Sequence, residues 1–523
     1  MRRILKFLTS RMVWVAIVMI LQVAWIVAAV LLLGRYYWAI TVVLSLIGLG
    51  LVVYIMRQWY NPAYKLAWSI LILSVPIVGT ILYLLFGRAN AIVAHRKTHE
   101  RIDHELYPLM EQPEGIEEEL SKADPAVARQ FSYLYKTVHF PAGRNGFTHY
   151  FSSGEEYFEQ LCQALNEANQ FIFLEYFIIE RGYMWETILS ILERKVKEGV
   201  EVRLLYDDVG CIWLLPRDYP EFLEARGIVC RRFNLLRPVM SAIFNNRDHR
   251  KITVIDGHTA FCGGLNLADE YINRKERFGH WKDGGVIIKG EAVWNYTSMF
   301  LGMWNSIHHT DFDYRKYKKD PESLCGGEGK TDGRKSGGGH RGYVLPYGDS
   351  PLDHECSGEN VYLNIIHNAK KYVYIYTPYL IIDHEMTVSL TLAAKSGVDV
   401  RIMLPHIPDK RLIFMLSRSY YARLLAAGVK IYEYLPGFLH TKAFVSDDTL
   451  AAIGSINLDY RSLYLHFECG TLLYRTEAVA ELKRDFMETM EEKAMEITME
   501  FCRKRPVYEK ILVSIMHLFA PLF

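Results

Sequence analysis

The chain carries one pattern twice, and this duplication constrains its fold more than any other feature. The first copy begins at His249 in "HRKITVID" and the second begins at His440 in "HTKAFVSD". Each histidine is followed by a lysine, an aspartate, a pair of small residues and an asparagine at the same spacing, so that Asn266 and Asn457 end strings of equal length. Two complete copies predict a duplicated fold with equivalent halves.

The segments around the two copies alternate between apolar strands and helical stretches. The predicted strands are "FIFLEYFII" (171–179), "GVEVRLLYDD" (199–208) and "GIVCRRF" (227–233), then "YVYIYTPYLI" (372–381), "GVDVRIMLP" (397–405) and "GVKIYEY" (428–434). Such alternation is typical of parallel α/β layers. The predicted fold class is therefore α/β, with two equivalent lobes at 139–310 and 343–500.

A glycine-rich, charged segment at 311–342 separates the two predicted lobes. This composition predicts an exposed, flexible linker. The segment contains "GKT" (329–331), but Leu324 stands where a phosphate loop needs its first glycine, and no strand precedes it. We therefore expect no nucleotide site here.

The histidine and lysine of each copy lie two residues apart, so a strand directs both side chains to one face. A phosphate above that face explains the pairing, because Lys251 and Lys442 would bind its oxygens and an imidazole can attack phosphorus or transfer a proton. The two copies together would place two histidines on opposite sides of one phosphate, which needs no metal or other cofactor. Further phosphate donors are predicted at Asn266, Asn457 and Ser455.

The aspartates of the two copies, Asp256 and Asp447, complete the candidate catalytic set. Each lies an odd number of residues from its histidine, so a regular strand turns it away from the phosphate and a scaffold role is predicted. Another acid should then orient each histidine. The candidates are Asp283 in "HWKDGG" and Glu468 in "HFECG".

Three stretches near the N-terminus, at 12–33, 36–56 and 66–86, contain no charged residue. Each approaches the roughly 20 residues that span a bilayer. We therefore predict a multi-pass transmembrane anchor at 1–90, followed by a connecting segment at 91–138. Basic residues before the first stretch place the N-terminus in the cytoplasm. Basic residues also follow the third stretch and favour an even number of crossings, with the catalytic region on the cytoplasmic side of the cell membrane.

Two further features limit the partners and the compartment. The chain has 60 basic and 59 acidic residues, a balance that predicts no nucleic-acid partner. Its eight cysteines show no zinc-like spacing and suit a reducing compartment. The apolar C-terminal tail at 501–523 predicts an amphipathic helix, either lying on a membrane surface or docked on the second lobe.

The two strings resemble the HKD motifs of the phospholipase D superfamily, and the resemblance covers roughly residues 140–500. The segments 61–87 and "GGLNLADEYINR" (263–274) are also similar to bacterial cardiolipin synthases. The resemblance implies two phospholipase D-like α/β/α lobes that share one active site. It further implies transfer of a phosphatidyl group between two phosphatidylglycerol molecules with release of glycerol, His249 being the nucleophile and His440 the acid and base.

Three alternatives use the same motifs or the same fold. Water or another alcohol could accept the phosphatidyl group, which would make the chain a hydrolase of the phospholipase D type or a different transferase. A nuclease is disfavoured by the neutral charge, and an inactive scaffold is disfavoured because both strings are complete. The oligomeric state and the acyl preference are not fixed by the sequence.

Overall fold

The computed structural model describes residues 37–58, 61–87, 90–235, 246–319, 342–353 and 355–520, with the isolated positions 20, 24, 27 and 28. The strands in the first half are β1 (Gly143–Arg144), β2 (Phe147–Phe151), β3 (Phe171–Tyr176), β4 (Glu201–Asp207), β5 (Val229–Phe233), β6 (Lys251–Ile255), β7 (Thr259–Gly263), β8 (His280–Lys282) and β9 (Gly285–Lys289). Those in the second half are β10 (Tyr343–Asp349), β11 (Tyr372–Tyr376), β12 (Leu380–Ile381), β13 (Asp399–Pro405), β14 (Lys430–Tyr434), β15 (Gly437–Leu439), β16 (Ala443–Ser446), β17 (Leu450–Gly454), β18 (Leu458–Asp459), β19 (Glu468–Tyr474) and β20 (Ala494–Glu496).

The described α-helices surround these strands and precede them. Those up to the end of the first lobe are α1 (Tyr37–Arg57), α2 (Pro62–Ser74), α3 (Pro76–Leu82), α4 (Asn90–Leu106), α5 (Ile116–Ala123), α6 (Pro125–Val138), α7 (Gly154–Glu167), α8 (Tyr183–Lys197), α9 (Tyr219–Glu224) and α10 (Val293–Ile307). The remainder are α11 (Ser357–Asn368), α12 (His384–Lys395), α13 (Arg411–Ser419), α14 (Tyr421–Ala426), α15 (Tyr460–Tyr464), α16 (Glu477–Lys493), α17 (Met499–Arg503) and α18 (Val507–Phe519).

The two lobes are built on sheets with matching strand orders. The first sheet runs β2-β9-β7-β6-β3-β4-β5, and the second contains the equivalent series β10-β19-β17-β16-β11-β13-β14 between the added edge strands β1 and β20. The pairs β3–β4–β5 and β11–β13–β14 are parallel, whereas β6–β7 and β16–β17 are antiparallel hairpins. The duplicated α/β fold is thereby confirmed.

The central strands are hydrophobic throughout because both of their faces are covered. Every residue of β3 and of β11 is buried, as expected of a strand between two layers of helices. One apolar core lies within each lobe, and a third combines residues of both lobes, including Cys262 from the first and Cys469 from the second. The two lobes therefore share a buried interface.

The first part of the predicted linker is attached to the first lobe through a few buried side chains. Asp311 is buried, and its carboxylate accepts two hydrogen bonds from the Arg203 guanidinium, at 2.6 and 2.9 Å. Tyr317 is buried beside it and donates to Glu201. Within residues 311–319, Asp311, Tyr314 and Tyr317 are therefore anchored on the first lobe, while Phe312 and Lys316 are exposed. The rest of the segment, including "GKT", lies outside the described residues.

The predicted connecting segment consists of helices that belong to the lobes. Ile102 and Leu106 of α4 enter the core shared by both lobes, whereas Leu120 of α5 and Phe131 of α6 enter the core of the second lobe. The predicted lobe boundaries stay a prediction, and these helices extend the apolar cores to residues that precede them.

The N-terminal region is described in part. The stretch 12–33 lies outside the described residues except at isolated positions, and 36–56 corresponds to α1. The stretch 66–86 is divided, because α2 ends at Ser74 and Pro76 begins α3. Within the described residues, no helix combines the length and the hydropathy that a bilayer crossing requires. The predicted transmembrane anchor is not confirmed.

Helix α2, near the N-terminus, and the C-terminal helix α18 both contact the second lobe. The Asn61 amide caps α2 and donates to Asp383 and to the Tyr464 hydroxyl, at 3.1 and 3.0 Å. The C-terminal helix α18 buries Val513 and Met516 against α13 and the start of α2. One face of the tail helix is therefore docked on the second lobe, as one of the two alternatives predicts. Residues on its other side, such as Val507 and Ile511, remain exposed.

Candidate active site

The two motif histidines lie where short extended segments of the two lobes run side by side. Near His249, Asp248 forms a parallel bridge with Phe467, and the His249 N–H donates to the Phe467 carbonyl at 2.9 Å. Near His440, strand β15 pairs in parallel with β8, and the His440 N–H donates to the Lys282 carbonyl at 2.7 Å. The two inter-lobe pairings are equivalent and hold the histidines at one interface.

Each histidine is held by a carboxylate from the opposite lobe. His249 Nδ1 lies 2.9 Å from Glu468 Oε1, and His440 Nδ1 lies 2.6 Å from Asp283 Oδ2. Both carboxylates are fully buried. The acids are those named from the sequence, but the pairs are crossed: each acid follows one histidine in the chain and contacts the other.

The two lysines lie beneath the histidines in equivalent positions. The Lys251 Nζ donates to the His249 carbonyl, and the Lys442 Nζ donates to the His440 carbonyl. Both are almost completely buried, at 0% and 1% exposure. Burial lowers the pKa of Lys251 to about 8 and that of Lys442 to about 7, since desolvation disfavours the charged form.

The histidines are neutral at pH 7 in this environment. Burial and the neighbouring Lys251 and Lys442 lower the pKa of His249 well below its usual value. Burial and Lys442 lower the pKa of His440 to about 4, although Asp283 acts in the opposite direction. With each Nδ1–H donated to a carboxylate, each Nε2 keeps a free lone pair, so either imidazole can act as a nucleophile or a base.

The carboxylates of the pairs differ in charge preference. Burial raises the pKa of Asp283, but His440 and Lys442 outweigh it and the pKa falls below its usual value. Burial raises the pKa of Glu468 despite Lys251. The Ser455 hydroxyl donates to Glu468 and accepts from the Cys469 N–H, so it supports this carboxylate. The sequence had placed Ser455 among the phosphate donors.

The motif aspartates lie away from the histidines and bind backbone. Asp256 accepts hydrogen bonds from the N–H groups of Asn169, Gln170 and Phe171, where β3 begins. Asp447 makes the equivalent three contacts at the start of β11. These contacts agree with the scaffold role that strand parity predicts, because both aspartates fasten the turn after a motif strand to the sheet.

The two asparagines are not equivalent. The Asn266 carbonyl oxygen accepts from the Ile178 N–H, and its amide donates to the Tyr271 hydroxyl. The buried side-chain carbonyl oxygen of Asn457 has no hydrogen-bond partner among the described residues. Asn266 thus already has partners within the first lobe, while Asn457 keeps an unused acceptor.

Aromatic rings and a third histidine surround the motif residues, and the sequence did not single them out. The ring centroids of Trp281 and Tyr271 lie 5.3 and 5.6 Å from that of His440, while those of Phe177 and His466 lie 5.0 and 5.9 Å from that of His249. The one feature of the sequence that could have identified Trp281 and His466 is their position, because each lies two residues before an acid that orients a histidine. Across the described residues, no group of three histidine, cysteine or acidic side chains could hold a metal ion.

Comparison with known families gives two matches. Residues 161–304 and 362–490 match the model of the cardiolipin synthase, phospholipase D-like domain. Residues 38–88 match the model of the phospholipase D-nuclease N-terminal region. The first pair of ranges contains both motif histidines and both acids that hold them.

Similar proteins cover almost the whole chain. An uncharacterized protein of Streptococcus mutans is 42% identical over 91% of this chain and 100% of its own length. A cardiolipin synthase of Geobacillus kaustophilus is 34% identical over 95% of this chain and 97% of its own. The solved phosphatidylserine synthase of Haemophilus influenzae superposes with a TM-score of 0.55 at 15% identity, over 75% of this chain and 97% of that one. This last likeness concerns the fold.

Proposed function

The chain belongs to the cardiolipin synthase family of phosphatidyltransferases, and we propose that it transfers a phosphatidyl group from one phosphatidylglycerol to another, forming cardiolipin and glycerol. The observation that carries the proposal is the pair of crossed histidine–carboxylate contacts above two buried lysines. Such a site suits exchange of one phosphodiester for another, which needs no nucleotide.

In the first step, His249 Nε2 attacks the phosphorus of the donor and the bond to glycerol breaks. Glu468 accepts the Nδ1–H and so keeps the lone pair on Nε2. His440 gives a proton from its Nε2 to the departing glycerol oxygen. His440 is neutral in the empty site, but an anionic phosphate placed beside it favours the protonated imidazole. The product is a phosphatidyl group bonded to His249.

In the second step, neutral His440 removes the proton from a hydroxyl of the second phosphatidylglycerol. That oxygen attacks phosphorus, the bond to His249 breaks, and cardiolipin forms. Lys251 and Lys442 stabilise the charge on the phosphate oxygens in both steps. Asp283 holds the Nδ1–H of His440 while its Nε2 gains and loses the proton.

The N-terminal region is proposed to anchor the site at the cell membrane, where both lipid substrates reside. Its support is the match to a known N-terminal family at residues 38–88, together with the long stretches without charge. Multi-pass insertion and a cytoplasmic catalytic region belong to this proposal.

The test is a product balance. Purified protein mixed with phosphatidylglycerol vesicles should release glycerol and cardiolipin in equal amounts. Phosphatidic acid in place of cardiolipin would identify a hydrolase of the phospholipase D type, the second candidate. Absence of both products from a folded protein would contradict phosphatidyl transfer altogether.

A further inference from the structure

The two ends of the active site have different side chains, although the two lobes are equivalent. Beside His440, Phe438 pairs with Trp281 across the lobes, and their ring centroids lie 5.8 and 5.3 Å from that of His440. The matching positions beside His249 hold Arg247 and His466. One end of the site is therefore lined by two aromatic rings, and the other by an arginine and a histidine.

The backbone brings Arg247 and His466 to the face of the strand that carries His249. Asp248 and Phe467 are paired in the bridge, so their side chains point to one face. The side chains of the residues directly before and after them point to the other face. Arg247 therefore shares a face with His249 and His466. The centroids of the His466 and His249 rings are 5.9 Å apart.

This end of the site has buried side-chain nitrogen atoms without a hydrogen-bond partner in the described residues. Arg247 is 3% exposed, and its Nη1 lies 3.3 Å from both Asp207 Oδ1 and the Asn234 carbonyl. Its Nε and Nη2, and Nδ1 of His466, are buried without a hydrogen-bond partner in the described part of the chain. Buried polar atoms are normally satisfied, so such a group indicates a missing ligand or water.

A second arginine lies nearby on the solvent side. Arg461 is exposed, and its carbonyl accepts from the His466 N–H at 2.9 Å. Burial, His249, Arg461 and Arg247 lower the pKa of His466, while Glu468 acts in the opposite direction; both guanidinium groups and this carboxylate therefore lie within electrostatic range of that ring. Asp207 and Asp459 offset part of the positive charge, but neither contacts the guanidinium of Arg461 in the ion pairs that the described residues form.

We propose that Arg247, Arg461 and His466 form a second anion subsite, which binds the phosphate that the acceptor lipid already carries. The proposal rests on the proposed function, because a phosphatidylglycerol acceptor has its own phosphate beside the attacking hydroxyl. Lys251 and Lys442 are engaged by the reacting phosphate, so the second anion requires separate donors. No bond forms or breaks at this subsite.

The subsite explains how phosphatidylglycerol competes with simpler acceptors. Water and free glycerol carry no phosphate and gain nothing from Arg461 or His466. The three-carbon glycerol bridge is flexible enough to bring the second phosphate beside either histidine, so the subsite is compatible with either histidine as the nucleophile. Selection of the acceptor is then separate from phosphoryl chemistry.

The experiment compares acceptors with and without a phosphate. Vesicles of phosphatidylglycerol are supplied with labelled glycerol, and cardiolipin formation is measured beside exchange of glycerol into the lipid. In Arg461→Gln and His466→Gln, the ratio of cardiolipin to exchange should fall about ten- to hundredfold, the range expected for loss of a charge-assisted hydrogen bond. The matched control is Arg423→Gln, an exposed arginine of α14 in the same lobe.

A soluble pair of acceptors repeats the comparison without a lipid interface. The unmodified enzyme should prefer sn-glycerol 3-phosphate to glycerol, and both variants should lose this preference. Equal losses with both acceptors would overturn the subsite while leaving phosphatidyl transfer intact. Absence of transfer by the unmodified enzyme to any acceptor would instead overturn the proposed function.

Discussion

At the scale of single residues, the crossed pairs assign each carboxylate to a step of the reaction. Glu468 contacts His249 and Asp283 contacts His440, although chain order suggests the reverse. An amide in place of the acid favours the wrong imidazole tautomer, and the comparable change in a serine protease triad costs about 10⁴ in rate. The two acids therefore control different histidines.

Substitution of these acids should separate the two steps. With labelled donor lipid, Glu468→Gln should prevent label from reaching His249, because Nε2 then carries the proton. Asp283→Asn should let label accumulate on His249, because His440 can no longer serve as the base for the acceptor. Acid-labile, base-stable label on each purified variant provides the measurement. The opposite pattern would mean that His440 is the nucleophile.

The buried lysines also predict a conflict between activity and stability. Because burial lowers the pKa of Lys442 to about 7, keeping it charged at neutral pH destabilises the fold. Lys442→Met should therefore raise the melting temperature in detergent by a few degrees while lowering turnover on the order of 10²–10³. Lys395→Met, at an exposed helical position, is the control. A well-folded Lys442→Met enzyme with normal turnover would refute the shared site.

At the scale of secondary-structure elements, the motif aspartates act on the sheet. Asp256 and Asp447 each join the turn after a motif strand to the start of the neighbouring parallel strand through three backbone N–H groups. Both have a positive φ, at 52° and 51°, which aspartate tolerates better than most residues. The spacing between each aspartate and its histidine therefore places the aspartate in the hairpin turn, where it can bind the neighbouring strand.

Replacement of these aspartates should reduce stability more than catalysis. Asp256→Asn keeps one acceptor oxygen but loses the charge, which should cost roughly 1–3 kcal/mol of the free energy of unfolding. Asp447→Asn should cost less, because Asp447 is partly exposed while Asp256 is buried. Denaturant titration and turnover per folded molecule measure the two effects. A large fall in turnover without loss of stability would return the aspartates to the catalytic set.

At the scale of the whole molecule, the sequence predicted the two lobes and their motif residues, and the structure shows which residues of the two lobes contact each other. Strand parity was enough to place His249 with Lys251 and to turn Asp256 away, because these relations are local. Which acid meets which histidine depends on how the lobes dock, and no local pattern encodes that. Local patterns also could not identify Arg247 and His466, because these residues come together only where the two lobes dock. They could not place the helices at 91–138 either, since those helices pack against residues that are distant in the chain.

Docking of the lobes around neutral histidines predicts a specific sensitivity to acid. The pKa of His440 is lowered from 6.5 to about 4 in the fold, so between these values the unfolded chain binds a proton that the native protein does not. Stability therefore falls as pH decreases through this window, by up to roughly 3 kcal/mol from this residue. Glu359 and Asp207 act in the opposite direction, since burial raises their pKa to about 8 and about 6.

Because these effects oppose each other, the prediction concerns how the pH dependence of the melting temperature differs between variants. Melting temperatures from pH 7 to pH 4 should fall more steeply for the unmodified protein than for His440→Gln, which lacks the titrating group but keeps a polar side chain. His308→Gln, at an exposed histidine, should follow the unmodified protein. Above pH 6.5 the curves of the unmodified protein and His440→Gln should run parallel, separated only by a constant offset that the substitution itself causes. Parallel curves over the whole range would show that His440 is not held neutral between the lobes.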